Sequence, residues 1–303
     1  HNYLLSLPFD EVRSVGNIGY DKESDSYLFR DVMFDSNGIF RHINKMGYFD
    51  SENLGIAESV ETTNIISDFD DIQLNKFIGH LNGAFGFKGL LTFGFYVATL
   101  FSHKMIEKFS FFPFLSLFGE PQSGKTTLTN IMNRCFFLDW QGFYLGKATT
   151  NIGLINSLKQ RKSLVTPLTE GTKKSVQAFD QGMLLGAYDW GILRLKTKPG
   201  SDTTEKTTYE GGLIFVQNKE FFETKELKQR VVSLPFSRSE LNSQTKKHLT
   251  ALKKYSKQQL ASIGKQILEK RKEIEAGILN QIDTVADDLI QAGLTDRLAN
   301  NHA

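Results

Sequence analysis

An α/β protein with substantial parallel strand pairing is the fold class this sequence predicts. Three observations predict it. From residue 111 to about 236, short apolar runs alternate with segments of helical character, the pattern that builds parallel sheets. Within that stretch, the apolar run Phe114-Leu115-Ser116-Leu117-Phe118 leads into Gly119-Glu120-Pro121-Gln122-Ser123-Gly124-Lys125-Thr126, and a helix-like run Thr127-Leu128-Thr129-Asn130-Ile131-Met132 follows. On either side lie a β-rich section and a helical section, which the alternating pattern does not include.

In chain order, residues 1–60 read as β-rich, with runs at 15–19, 27–34 and 38–43. Asp35-Ser36-Asn37-Gly38 forms a hairpin signal between the last two. Residues 61–110 read as a linker and a helical section. Asp70 or Asp71 is the expected cap, and Ile72, Phe77, Ile78 and Leu81 recur at helical spacing. The stretch 83–89, bounded by glycines, interrupts that helix, and a second, largely buried helix is expected over 90–107. Residues 111–238 form the α/β core, with strands at 114–118, 163–168, 213–217 and 231–236. Residues 239–303 are helical, and 246–272 is rich in lysine. A solvated helix face explains those lysines; a DNA-facing or membrane-facing role is the alternative.

Bulk properties narrow the classes. A net charge of +2 is too small to argue for nucleic acid on its own, so any such contact must come from local patches. The lone Cys135 allows no internal disulfide, which fits a reducing cytoplasm. The most apolar stretch, 89–101, is shorter than the ~20 residues that span a bilayer, so a buried helix and no membrane partner are expected. The chain begins at His1 with no signal peptide, and is expected to be part of a longer protein.

The strand–glycine loop–helix unit carries the strongest chemical signal. The G-x-x-x-x-G-K-T spacing lets the backbone curl so that successive N–H groups face phosphate oxygens, with the helix N-terminus adding positive potential. Gly119, Glu120, Pro121, Gln122, Ser123, Gly124, Lys125, Thr126 and Thr127 are therefore the expected nucleotide-binding set. Lys125 would reach the β- and γ-phosphates of ATP, and the Thr126 hydroxyl would hold Mg²⁺. A chance glycine turn is the competing reading.

Hydrolysis also needs an acid near the metal and the attacking water. Ser163-Leu164-Val165-Thr166-Pro167-Leu168 runs into Thr169-Glu170-Gly171, where a Walker B element is expected. Glu170 fits the catalytic position, but Thr169 stands where an Asp is usual; an ordinary surface acid is the alternative for Glu170. The strand Leu213-Ile214-Phe215-Val216-Gln217 ends at Asn218, the form of a sensor-1 amide. Arg230, before Val231-Val232-Ser233-Leu234, sits where ring ATPases place an arginine finger, or is a surface Arg at a helix end. Between these lies Leu193 to Lys206 with a Pro199-Gly200 turn signal, a candidate hairpin carrying Lys196, Lys198 and Lys206. Its lysines suit sequence-independent phosphate contacts, or are solvated.

This order of motifs resembles the superfamily 3 helicases of the AAA+ class, and more narrowly the helicase portion of primase–helicase replication proteins from phages and mobile elements. Lys147-Ala148-Thr149-Thr150-Asn151-Ile152-Gly153 and Tyr209-Glu210-Gly211-Gly212-Leu213 add to the likeness, which covers about 111–236. The resemblance implies an AAA+-like P-loop NTPase core, ATP and Mg²⁺ as cofactors, and catalytic roles for Lys125, Glu170, Asn218 and Arg230, the last in a neighbouring subunit's site. It implies a homo-oligomeric, hexameric ring gripping single-stranded DNA through the hairpin, chiefly Lys198. It further implies a primase or polymerase domain in the full-length protein and a place in the cytoplasm of a bacterial host. A ring ATPase with an assembly or regulatory role and no unwinding is the alternative, and a small-molecule P-loop kinase a third. Thr169 is the main departure from the pattern.

Overall fold

A computed structural model describes residues 11–145, 150–169, 181–197, 204–220, 222 and 224–292. The N-terminal section holds β1 (Arg13–Val15), β2 (Ile18–Asp21), β3 (Ser26–Phe29), β4 (Val32–Phe34), β5 (Phe40–His42) and β6 (Leu54–Ile56). β1 pairs in parallel with β6, while β2 to β5 form an antiparallel meander. The run expected over 27–34 is in fact two strands. It breaks at Arg30, which takes φ 40° to make a tight turn with no glycine to announce it. The hairpin at 35–38 is present. The Asp35 carboxylate accepts the Asn37 and Ile39 N–H groups, and Gly38 sits at φ 77°.

The helical section is α1 (Leu74–Leu100) and α2 (Ser102–Phe109). Neither Asp70 nor Asp71 caps α1, whose first residue follows Gln73. Asp70 instead meets the C-terminal section, accepting bonds from Ser256 Oγ at 3.3 Å and Ser262 Oγ at 2.5 Å. The expected interruption is a kink inside α1 at Gly86, with φ 57° and ψ −146°. Because the two halves remain one element, α1 is long and apolar enough to cross a membrane by length and composition, with mean hydropathy 1.2. Here it packs against α3 (Lys125–Cys135) and α7 (Ser243–Leu252).

The core sheet contains β7 (Phe114–Gly119), β8 (Phe143–Tyr144), β10 (Val165–Thr169), β13 (Gly212–Gln217) and β14 (Val231–Phe236). Their order is β14-β7-β13-β10-β8, and every pairing is parallel. Both faces are covered, as an all-parallel sheet requires. Leu115, Leu117, Ile214 and Val216 enter one hydrophobic cluster, and Phe114, Leu213 and Phe215 enter another, so strand alternation alone sorts them. The second cluster is closed by α4 (Asn151–Lys159), α5 (Gln181–Tyr188) and α6 (Lys225–Lys228). The two-residue β8 was not legible in the sequence.

β9 (Arg161–Lys162) joins the N-terminal section to the core by pairing in parallel with β2. The contact is so close that a Cβ at Gly19 would lie 1.8 Å from the Lys162 carbonyl oxygen. The remaining pair, β11 (Ile192–Thr197) and β12 (Thr204–Thr208), is the expected hairpin.

α8 (Lys257–Glu269) and α9 (Arg271–Gln291) complete the chain. α8 starts with a reciprocal capping box between Ser256 and Gln259 and packs on α3. α9 begins with a fully buried Arg271, which bonds Glu275 at 2.7 Å, pairs with Asp25, and donates to the Asp25 and Asp35 carbonyls. Its guanidinium lies over Tyr20 and Tyr27 at 5.6 and 5.2 Å, and His103 stacks on Tyr20 at 3.9 Å. Burial alone would push the Glu275 carboxyl up, but His103 and Arg271 overcome it and hold it at about 2.

Arg271→Met should therefore destabilise the protein by about 3–5 kcal/mol in urea unfolding, because it leaves Asp25 and Glu275 without their cation. The depressed Glu275 carboxyl contributes stability that is complete above pH ~4.5 and lost as pH falls toward 2. Glu275→Gln should flatten the stability curve in that window; an unchanged slope would refute the assignment.

Candidate nucleotide site

β7, β10 and β13 run in parallel, so their carboxyl ends open onto one edge of the sheet, where open α/β folds bind ligands. The loop 119–124 lies at that edge. Gly119 leaves β7 at φ 124°, and a Cβ there would stand 2.1 Å from the Phe236 carbonyl oxygen of β14. Gln122 and Gly124 also take positive φ, 62° and 97°, so the backbone curls back before α3 begins at Lys125. A Cβ on Gly124 would meet the Phe85 ring at 3.1 Å, one residue before the kink in α1. No side chain caps α3, which leaves its first N–H groups available to an anion.

Lys125 is only 5% exposed. Its ammonium donates to the Glu120 carbonyl at 2.7 Å, the Gly119 carbonyl at 2.9 Å and Ser123 Oγ at 3.3 Å. The side chain is thus folded into the mouth of its own loop, where it stands among oxygens as it would among phosphate oxygens. Thr126 is exposed and Thr127 half-buried on the first turn of α3. Glu120 faces away, accepting Arg238 N–H at 2.6 Å and Ser237 Oγ at 2.9 Å; these bonds hold its carboxyl below the usual range. Arg238 Nε in turn donates to the Pro121 carbonyl at 2.6 Å. The sequence reading missed Arg238. The available signal was its place just beyond β14, whose last residue pairs with Gly119.

Asn218 is exposed and follows directly on Gln217, which pairs with Phe118, so it stands beside the start of the loop. Gln217 is buried, and its side-chain amide donates to the Leu168 carbonyl at 3.3 Å, tying the ends of β13 and β10 together. Sequence reasoning passed it over in favour of its neighbour. Thr169, at the end of β10, donates its hydroxyl to the Phe143 carbonyl at 3.2 Å. Glu170 lies outside the described residues. Among the described residues, no three His, Cys, Asp or Glu side chains gather as a metal cage. The donors present suit Mg²⁺ bound through the Thr126 hydroxyl and a ligand's phosphates rather than a dedicated protein site.

Arg230 is not part of this group. It precedes β14, so it lies at the opposite edge of the sheet, about 20 Å away by strand length. It is 8% exposed, donates to the Glu226 carbonyl at 2.8 Å and lies over Tyr188 at 5.2 Å. On the hairpin, Leu195 pairs with Lys206 and Lys196 with Glu205. Lys206 is exposed, and Lys198 lies outside the described residues.

No family model matches the chain, and no curated protein matches it. Among solved structures, the active helicase SCCmec type IV Cch matches with a TM-score of 0.60 at 12% identity, over 97% of this chain and 54% of its own. This chain thus spans about half the length of that protein. The apo C-terminal region of NrS-1 matches with a TM-score of 0.38 at 10% identity, over 90% of this chain and 76% of its own. JCV helicase matches with a TM-score of 0.36 at 15% identity, over 74% and 67%. The chain shares its fold with a stretch of the SCCmec type IV Cch helicase, a parallel α/β sheet with a glycine-bounded loop at its carboxyl edge and a helical C-terminal section.

Proposed function

We propose that this chain is an ATP-dependent DNA helicase or translocase, acting as a homo-oligomeric, hexameric ring in the replication of phage or mobile-element DNA. The observation that carries the reading is the Lys125 ammonium held among loop oxygens at an uncapped helix N-terminus. A triphosphate entering the loop offers that ammonium stronger, charged acceptors than two carbonyls and a hydroxyl. The free N–H groups of α3 would take the remaining phosphate oxygens. Mg²⁺, when bound, supplies charge neutralisation at the phosphates, and Thr126 is the side chain placed to hold it. Glu170 and Asn218, at or just past the ends of adjacent strands, are proposed to orient the attacking water.

Arg230 is too far from its own loop to reach a phosphate there. We assign it to the site of the next subunit, which makes the ring a requirement for turnover. The hairpin formed by β11 and β12, with Lys196, Lys198 and Lys206, is proposed to grip single-stranded DNA. A primase or polymerase domain elsewhere in the full-length protein and a place in the bacterial cytoplasm complete the reading. One observation favours the competing reading, a ring ATPase that assembles or regulates without unwinding. Thr169 stands at the end of β10 where an Asp is usual, and its hydroxyl is already bonded to the neighbouring strand.

DNA-stimulated ATP turnover separates the two readings. Hydrolysis that single-stranded DNA neither binds to nor accelerates would favour the regulatory one. Lys125→Ala should cut turnover by at least ~10²-fold, the usual cost of losing a charge-stabilising donor. Arg230→Ala should keep nucleotide binding, measured with a fluorescent ATP analogue, and lose ~10³-fold or more in turnover. Hydrolysis preserved in that variant would rule out a shared site. Lys206→Gln should weaken single-stranded DNA binding while leaving ATP affinity unchanged.

A further inference from the structure

Residues 241–268 carry six lysines and no acidic residue. Four of the six, Lys246, Lys247, Lys253 and Lys254, lie on α7 and the turn that follows it, and all four are exposed. Among the described residues none of them has an acidic partner. Lys257 pairs with Asp139 and Lys265 with Glu269, so this gap in pairing is local.

The orientation of α7 is fixed by its other side. Leu252 is fully buried, Leu249 packs on the main hydrophobic cluster, and His248 meets His80 of α1 through Nδ1 atoms 3.2 Å apart. At about 100° per residue, the four lysines fall within an arc of roughly 120°, whose centre lies roughly 130° around the helix from Leu249 and Leu252. They extend about 12 Å along the axis. A nucleic acid strand advances ~3.4 Å per phosphate along its axis, so the row faces three or four phosphates. None of the exposed large hydrophobic side chains of the chain lies between residues 241 and 257. A membrane-surface helix would need such residues to insert. The apolar residues of α7 are spent on α1 and the core.

We propose that this face of α7 is a second nucleic-acid surface, binding the phosphate backbone of duplex DNA without regard to sequence. It shares no residue with the nucleotide site or with the hairpin, and it does not rest on ATP hydrolysis. Its contribution is electrostatic, so it should weaken steeply with salt.

The test uses the full chain, without nucleotide, and a fluorescein-labelled duplex of arbitrary sequence, followed by anisotropy between 50 and 200 mM KCl. The wild type should bind. The variant Lys246→Gln/Lys247→Gln/Lys253→Gln/Lys254→Gln should lose at least ~10-fold in affinity at 100 mM, and its log–log salt slope should fall by about 3 to 4. Replacing the same four with Arg should retain binding; loss in that variant would mark a structural role and overturn the proposal. Unchanged affinity and slope in the Gln variant would overturn it. A wild type that ignores duplex but binds phosphatidylserine vesicles through these lysines would overturn it in favour of a membrane surface. Failure of the wild type to hydrolyse ATP, with lysine-dependent duplex binding intact, would sink the translocase reading and leave this surface standing.

Discussion

The constraint on which the candidate site depends is the meeting of β7 and β14 at the carboxyl edge of the sheet. With a Cβ at Gly119 the chain would collide with the Phe236 carbonyl, so only glycine lets the two strands pair to their last residues. That pairing sets where the loop leaves the sheet. It also brings Ser237 and Arg238 alongside, where they fix the Glu120 carboxylate and the Pro121 carbonyl. The curl of the loop and the start of α3 follow from that exit point. The place of Lys125 follows in turn.

A second set of contacts holds the opposite flank. Phe85 lies against Gly124, and two residues past the kink Lys88 pairs with Glu240 and covers the Phe236 ring at 5.1 Å. The loop is therefore clasped between α1 and the turn after β14. Both flanks belong to the large hydrophobic cluster that draws on the N-terminal sheet, α1, α3, α8 and the core strands together. Shape at the nucleotide site is thus set by packing that spans most of the chain, not by the loop alone.

What the sequence revealed follows from how local each signal is. The loop was legible because two glycines, a lysine and a threonine must occur at fixed spacing between a strand and a helix. The parallel strands were legible because both faces are buried and their runs are nearly unbroken in apolar residues. The break at Arg30 was not, since a non-glycine turn leaves no mark on composition. Asp70 gave the right chemistry for a cap but was claimed by Ser256 and Ser262, far along the chain. Arg238 and Gln217 were missed for the same reason. Their partners are set by strand register, which a one-dimensional reading does not contain. Arg230 was singled out by its position before a strand, yet only the direction of β14 reveals that it lies at the opposite edge of the sheet from its own loop.

The parallel pairing of β2 with β9 has a consequence for how the protein is made. Ile18 waits for Arg161, 143 residues further along the chain, as its neighbour, so during synthesis β2 stays without that edge partner until β9 has been made. Contacts of such long separation slow folding and expose pairing edges in the interval. Vectorial synthesis and native topology are therefore out of step in this chain, and the nascent N-terminal meander is the segment most in need of protection by a chaperone.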